Sequence, residues 1–413
     1  MQTEPTPQFI NAIAAAVEYW RRRTETLDDA AIARLDEERQ NLYRAVEFGL
    51  KRAETWEAAA EVALQAFDLV ERRGYWREWM PMLEAAVALC SEGQQGLKCR
   101  LLNRLGFFYR QDRRLNTAIT MHREAEALAL VSGNRQGMAE ALFYLGGTYL
   151  QKREHAEAWW HGLEALRAFN ELDNADRWLA STHMLLGIIA RSRGDTAAAE
   201  AHLTEAVTRW HILNQPLLLA RTFNELGNAL WPVGKVDKAE ACFVEATALL
   251  APTVYEMDKA MILLSLGTLY FHQEQWDKAE AAFRQADSSY LRQSGHALYQ
   301  AHVANNLGNV LLERGRPVEA EYYLRRALHL WQEADDDMLR ANTLGTLGQA
   351  LAIQGQISAA LELYNQAIEQ LHAFPDDLWA RRLLQNFTLK RHDLMRKQVS
   401  GGAEVQGVEE DGD

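Results

Sequence analysis

The sequence predicts an all-α solenoid of antiparallel helix pairs with a period of about 40 residues. Three observations predict it. A Leu-Gly pair recurs, with its glycines at Gly106, Gly146, Gly187, Gly227, Gly267, Gly308 and Gly348, spaced 40 or 41 residues apart. Twelve residues after each glycine stands an alanine (Ala118, Ala158, Ala199, Ala239, Ala279, Ala320, Ala360), and nineteen after it another (Ala125, Ala165, Ala206, Ala246, Ala286, Ala327, Ala367). The composition agrees: only 8 prolines interrupt 413 residues, and Ala and Leu dominate the apolar set. Such residues lose little side-chain freedom in a helix. Self-similarity at a fixed period marks a repeat architecture.

Each offset has a physical reason. A mid-helix glycine costs about 1 kcal/mol relative to alanine, so its recurrence needs a packing role. Two helices approach closely only where small side chains meet. The glycine is therefore placed on the first helix and the alanine twelve residues on against it, with the alanine at nineteen making room for the next unit. Apolar residues four before the glycine (Leu102, Leu142, Phe223, Leu263, Leu344) and three after it (Tyr109, Tyr149, Leu230, Tyr270, Leu311, Leu351) share its helical face. Sixteen after it come Leu203, Phe243, Phe283, Leu324 and Tyr364. Turns are marked by Gly194, Gly234, Gly315 and Gly355.

Leu-Gly, an apolar residue or Tyr three on, Ala twelve on, an aromatic sixteen on and Ala nineteen on resembles the tetratricopeptide repeat over residues 97–372. That resemblance implies a right-handed superhelix and a protein- or peptide-binding role. Two departures stand out. The usual period is 34 residues, and the proline that closes the unit is absent apart from Pro252 nearby.

The predicted organisation is an N-terminal helical segment (1–54), a degenerate repeat (55–95), seven repeats (96–375), a capping helix (376–398) and a disordered acidic tail (399–413). Pro7–Arg23 and Asp28–Lys51 read as helices, with an N-cap at Asp28-Asp29. Stepping 40 back from Gly106 places Ala66 at the glycine position and Ala85 nineteen after it. The capping helix shows Trp379, Leu383, Leu384, Phe387 and Leu389 as an apolar side, suited to covering a solenoid's last face. The run Leu35–Phe48 and the later Arg72–Trp79 resemble the junction before the repeats in STAND-type signal-transduction ATPases. There the array is the sensor. No G-x-x-x-x-G-K-[ST] phosphate loop occurs, so the resemblance implies a sensor array without its ATPase and leaves open a separately encoded effector enzyme.

In such arrays the first helix of each pair lines the concave channel. Residues six and three before the glycine, then one and four after it, step by 3, 4 and 3 along one stripe. The candidates are Arg100, Asn103, Arg191, Arg221, Asn224, Asn228, Trp231, His302, Asn305, Asn309 and Asn342. A carboxamide both donates and accepts, so paired asparagines suit an extended peptide backbone. The plainer reading keeps the asparagines as partners of neighbouring groups and the arginines as ion-paired surface charges.

Net charge is −13, with −5 from Glu404, Glu409, Glu410, Asp411 and Asp413, which argues against nucleic acid. Three cysteines without paired spacing (Cys90, Cys99, Cys242) fit a reducing compartment. The polar opening MQTEPTPQF predicts no leader, and no apolar run approaches the length of a membrane span. A cytoplasmic protein is expected. No H-E-x-x-H, C-x-x-C or G-x-S-x-G occurs. His183 falls at a core offset and reads as a buried, hydrogen-bonded histidine. No enzyme activity, cofactor, metal, membrane or nucleic acid is expected. The leading expectation is a regulatory polypeptide-binding scaffold, with a small-molecule sensor as alternative and self-assembly through the outer faces as a third.

Overall fold

Between successive turn residues the chain is helical, as the alanine- and leucine-rich units require. A computed structural model describes residues 6–25, 29–251, 255–288, 297–334 and 336–406, and among these 21 α-helices and no strands occur. The predicted N-cap residue Asp28 and the tail beyond Gln406 lie outside the described residues. The chain forms two compact units, Met1–Leu213 and Asn214–Asp413.

The first unit opens with α1 (Pro7–Arg23), α2 (Asp29–Glu37), α3 (Arg39–Leu50), α4 (Trp56–Gln65), α5 (Phe67–Arg73) and α6 (Trp76–Leu89). The stretch expected as one helix over 28–51 breaks at Glu38. The break lets Glu38 accept from Arg23 at 2.8 Å and sets the Arg39 guanidinium over the Tyr75 ring at 4.0 Å. Tyr75 donates to Asp36 at 2.8 Å, and Arg73 pairs with Asp36 at 3.1 Å. The two segments that resemble the STAND junction are thus mutual packing partners. In the degenerate unit the alanine buried near offset nineteen is Ala86, whereas Ala85 is exposed, so the frame slips by one residue there.

Three helix pairs follow in the first unit: α7 (Gln95–Gln111) with α8 (Leu115–Ser132), α9 (Arg135–Gln151) with α10 (His155–Asn170), and α11 (Asp176–Ser192) with α12 (Thr196–Ile212). The second unit holds four: α13 (Pro216–Leu230) with α14 (Val236–Leu250), α15 (Glu256–His272) with α16 (Trp276–Ala286), α17 (Ala297–Glu313) with α18 (Pro317–Ala334), and α19 (Asp337–Ile353) with α20 (Ile357–Leu371). The last helix, α21, spans Leu378–Gln406.

All fourteen alanines at offsets twelve and nineteen have no exposed surface. The glycines have a different partner from the one expected. A Cβ on Gly227 would stand 2.6 Å from the Phe243 ring, and one on Gly267 2.5 Å from Phe283. Leu203 and Leu324 cover Gly187 and Gly308 in the same way, and His122 covers Gly106. In these five pairs the residue sixteen on therefore packs over the glycine. Only Gly146 and Gly348 meet the backbone at offset twelve first, through the carbonyls of Ala158 and Ala360 at 3.3 and 3.2 Å. An aromatic ring needs a flat floor, and the missing Cβ supplies it.

Seven intra-pair turns share one geometry. The residue seven after each glycine has positive φ: Gly194, Gly234, Gly315 and Gly355, but also Arg113, Arg153 and Glu274. The next residue's N–H closes the turn by bonding the carbonyl five back, as in Gln275 to Tyr270 at 2.9 Å. This is a helix C-terminal motif that favours glycine. Glu274→Gly is expected to stabilise the second unit by about 0.5–1 kcal/mol, because it removes left-handed strain. Gly194→Ala, whose Cβ would meet open space, is expected to cost a similar amount in the first unit. Denaturant melts of both variants check the pair.

The buried line of α21 is Ala380, Phe387 and Leu394, at seven-residue spacing. Leu389, expected on the apolar side, is 59 % exposed, because it lies two residues, about 200°, from Phe387. Phe387 covers Gly345, so α21 sits against α19 as well as α20.

Candidate functional site

Helix geometry decides which stripe positions reach open surface. At about 100° per residue, the position three before the glycine lies only about 60° from it, inside the packing arc. The positions six before and one after lie about 120° and 100° away. The structure follows this arc. Asn103 is fully buried: its Nδ2 donates to the Gly137 carbonyl at 3.5 Å, and its Oδ1 lies 3.4 Å from His122 Nδ1. Asn224 and Asn305 are 7 % and 8 % exposed. The expectation that Asn103 and Asn224 face a channel is corrected, since both are buried among neighbouring helices, whereas Asn305 bonds the next helix and also borders the cleft described below.

Asn305 belongs to a buried network. Trp331 Nε1 donates to Thr343 Oγ1 at 2.9 Å, and Thr343 Oγ1 lies 2.9 Å from both Asn305 Oδ1 and the Leu339 carbonyl. The matching positions around Asn224 are Leu250 and Ile262, both apolar and buried. Asn224 Oδ1 is accordingly enclosed without a protein donor. Thr343→Val is expected to destabilise the second unit by about 1–3 kcal/mol, because it strands the Trp331 donor and the Asn305 acceptor together. A urea melt followed by tryptophan fluorescence measures it.

The arginines are engaged. Arg100 pairs with Glu61. Arg221 grips Asp258 through Nε at 2.6 Å and Nη2 at 3.3 Å. Arg191 is exposed in the last turn of α11. Asn228 is half-buried and donates to Ser265 at 3.5 Å. Trp231 stacks on His272, with ring centroids 5.0 Å apart.

Four of the sequence candidates, His302, Asn305, Asn309 and Asn342, line one cleft of about 260 Å³ in the second unit. It is built by α15, α17 and α19. Asn306, Thr268 and His272 join them, and Phe271, Phe283 and Trp379 supply rings. Trp379 is held there because Asp377 caps the first turn of α21, accepting from the Trp379 and Ala380 amides at 2.8 and 2.9 Å. Among the described residues no Asp, Glu, Lys or Arg lines the cleft. Burial pushes the His302 pKa below its ordinary 6.5, with Asp336 opposing, so its imidazole is neutral at pH 7. Its ring sits edge-on to Trp331 at 4.8 Å.

Sequence reasoning missed Asn306, His272 and Trp379 as lining residues, whereas Thr268 and Phe271 fall at its stripe offsets, one and four after Gly267. Asn306 stood beside a stripe residue, one step outside the offsets used. Trp379 carried no signal, because only packing brings α21 to α19. Among the described residues no group of three or more His, Cys, Asp or Glu side chains is placed to hold a metal. No described helix is long and apolar enough to cross a membrane.

Residues 218–286 and 299–371 match the tetratricopeptide repeat family. The four repeats of the second unit are thus similar to tetratricopeptide repeats. Solved structures extend the likeness of the tetratricopeptide fold well beyond those segments. A Rap protein complexed with competence and sporulation factor is 15 % identical, with a TM-score of 0.54 over 85 % of this chain and 99 % of that one. Aspartyl phosphate phosphatase F from Bacillus subtilis is 14 % identical, with a TM-score of 0.54 over 90 % and 96 %. The apo form of RapI is 15 % identical, with a TM-score of 0.50 over 70 % and 99 %. At these identities the likeness is one of fold. No curated protein matches the chain.

Proposed function

We propose that the chain is a non-catalytic, regulatory scaffold that binds a polypeptide segment, with the cleft at His302, Asn309 and Asn342 as its principal contact. The observation that carries this is the chemistry of the lining: carboxamides, a neutral imidazole and aromatic rings, without a charged side chain among the described residues. Such a surface pairs with main-chain amides and rejects an isolated charge, whose burial is costly. The cleft volume of about 260 Å³ falls below the range of roughly 300–1,000 Å³ typical of small-molecule pockets. That favours a side chain with its flanking backbone over a free metabolite. A solved neighbour of the same fold is complexed with competence and sporulation factor, which supports a ligand-binding role. The resemblance of Leu35–Phe48 and Arg72–Trp79 to the junction of STAND-type ATPases supports a regulatory role and an effector enzyme as partner.

Asn309 and Asn342 are half-buried, so their truncation leaves the core intact. A peptide selected from a random display library on the purified protein is expected to bind Asn309→Ala/Asn342→Ala at least about tenfold more weakly, a loss of about 1.4 kcal/mol. Fluorescence anisotropy reads it. Equal affinity in the double variant, with unchanged circular dichroism, removes the cleft as the contact.

A further inference from the structure

The first unit contains a pair of imidazoles that its own repeats do not call for. His183 on α11 stands four before Gly187, and His202 on α12 stands fifteen after it. The same two positions in the other pairs hold Leu102 and Met121, Leu142 and His161, Phe223 and Cys242, Leu263 and Ala282, Ala304 and Tyr323, and Leu344 and Leu363. No other pair places two imidazoles there. Packing is satisfied by apolar groups at this contact, so two facing histidines need another reason.

Their geometry supplies one. The two Nδ1 atoms face each other at 3.0 Å, with ring centroids 5.2 Å apart. A metal ion with bonds of about 2.0–2.1 Å to two imidazoles holds their nitrogens about 2.9 Å apart at a right angle and about 3.3 Å apart at the tetrahedral angle. The observed separation falls in that interval. Both rings are half-buried rather than sealed, so an ion has access. Burial keeps both imidazoles neutral at pH 7, the form that binds metal. Glu205, three residues from His202 on the same helix, acts electrostatically on His183 and is hydrogen-bonded to Arg209 at 2.8 Å. Arg209 opposes a cation here, as does Arg193, which lies over the Trp159 ring beside His202.

We propose that His183 and His202 chelate a first-row divalent cation of borderline softness, with Zn²⁺, Ni²⁺ and Cu²⁺ as its class, through their Nδ1 atoms. Without the ion, one Nδ1–H donates to the other Nδ1. On binding, that proton leaves to solvent or moves to Nε2, and both lone pairs turn to the metal. Water completes the coordination, since no third protein ligand is in place among the described residues. The ion ties α11 to α12 across the third repeat. Imidazole ligands suit these metals over magnesium or calcium, which prefer oxygen.

The test uses the full chain stripped with a chelator and titrated with CuSO₄ or NiCl₂ at pH 7.5. One saturable equivalent is expected, with two nitrogen couplings in the Cu²⁺ electron paramagnetic resonance spectrum. His183→Gln and His202→Gln are each expected to weaken that equivalent at least about tenfold, and Mg²⁺ is expected to give no binding. Both variants should keep the wild-type helical signal without metal. A first equivalent that survives in the double variant, or a spectrum with no paired nitrogens, overturns the proposal. If a glutamine variant unfolds, His202→Asn with the same titration replaces it, and retention of the equivalent there counts equally against the site. This outcome is independent of peptide binding, which is read in the other unit.

Discussion

Phe243→Ala is expected to destabilise the second unit by about 3–5 kcal/mol, the cost of a large ring removed from a closed core. Phe243 has no exposed surface, and its ring lies on Gly227 where a Cβ would stand 2.6 Å away. Gly227→Ala alone is expected to cost about 1–3 kcal/mol through overpacking, although alanine is the better helix former. The two effects are coupled because they concern one contact. In the double variant Gly227→Ala/Phe243→Ala the new methyl occupies part of the vacated space. Its cost is expected to fall short of the sum by about 0.5–3 kcal/mol, the range found for residues in contact. Chemical denaturation of the four proteins completes the cycle. Strict additivity would show that the ring and the glycine do not act as a unit.

The second large effect is acid sensitivity of the first unit. Burial lowers the pKa of His161 and His183 from 6.5 to about 4, lowers His202, and drives His122 well below its ordinary value. A histidine whose folded pKa is depressed binds fewer protons folded than unfolded. Stability is therefore complete above pH 6.5 and falls as pH drops from 6.5 toward the folded value. His161 is 3 % exposed, and its shift is worth about 2 kcal/mol of lost stability by pH 5. Its ring stacks on Tyr149 at 5.2 Å, and its Nδ1 has no hydrogen-bond partner, so nothing polar is lost on replacement. His161→Phe is expected to recover most of that loss at pH 5 and leave the stability at pH 7.5 unchanged or higher. Urea midpoints of the two proteins at pH 7.5, 6.5, 5.5 and 5 decide it. A parallel fall in both proteins would assign the acid sensitivity elsewhere.

The repeat frame was legible because its signals are local and small. Alanines at offsets twelve and nineteen must be buried wherever helices pack closely, and every one of the fourteen is. The glycine floor was half legible. Its recurrence showed a need for space, but in five of the seven repeats its first contact is the residue sixteen on, which varies between phenylalanine, leucine and histidine. A size rule that tolerates such variety leaves a weak sequence pattern. His122 escaped notice for that reason, although it sits where Phe243 and Phe283 sit in their repeats.

The candidate site divides along the same line. Asn305 and Asn309 both border the cleft, yet the about 40° of rotation between them leaves Asn305 buried and bonded to Thr343 on the next helix and Asn309 half-buried. Sequence periodicity does not resolve that angle when both faces carry asparagine.

By itself, the sequence determined the all-helical character, the pairing of helices, the positions of the turns and the residue set from which the cleft is drawn. These follow from spacing along a helix and from the conformational demands of glycine and alanine. Tertiary structure alone decided which asparagines are internal, that Trp379 reaches the cleft beside His302 and Asn342, and that His183 meets His202 at 3.0 Å. Those facts depend on how one helix rolls and slides against the next, and that is set by the summed packing of many side chains.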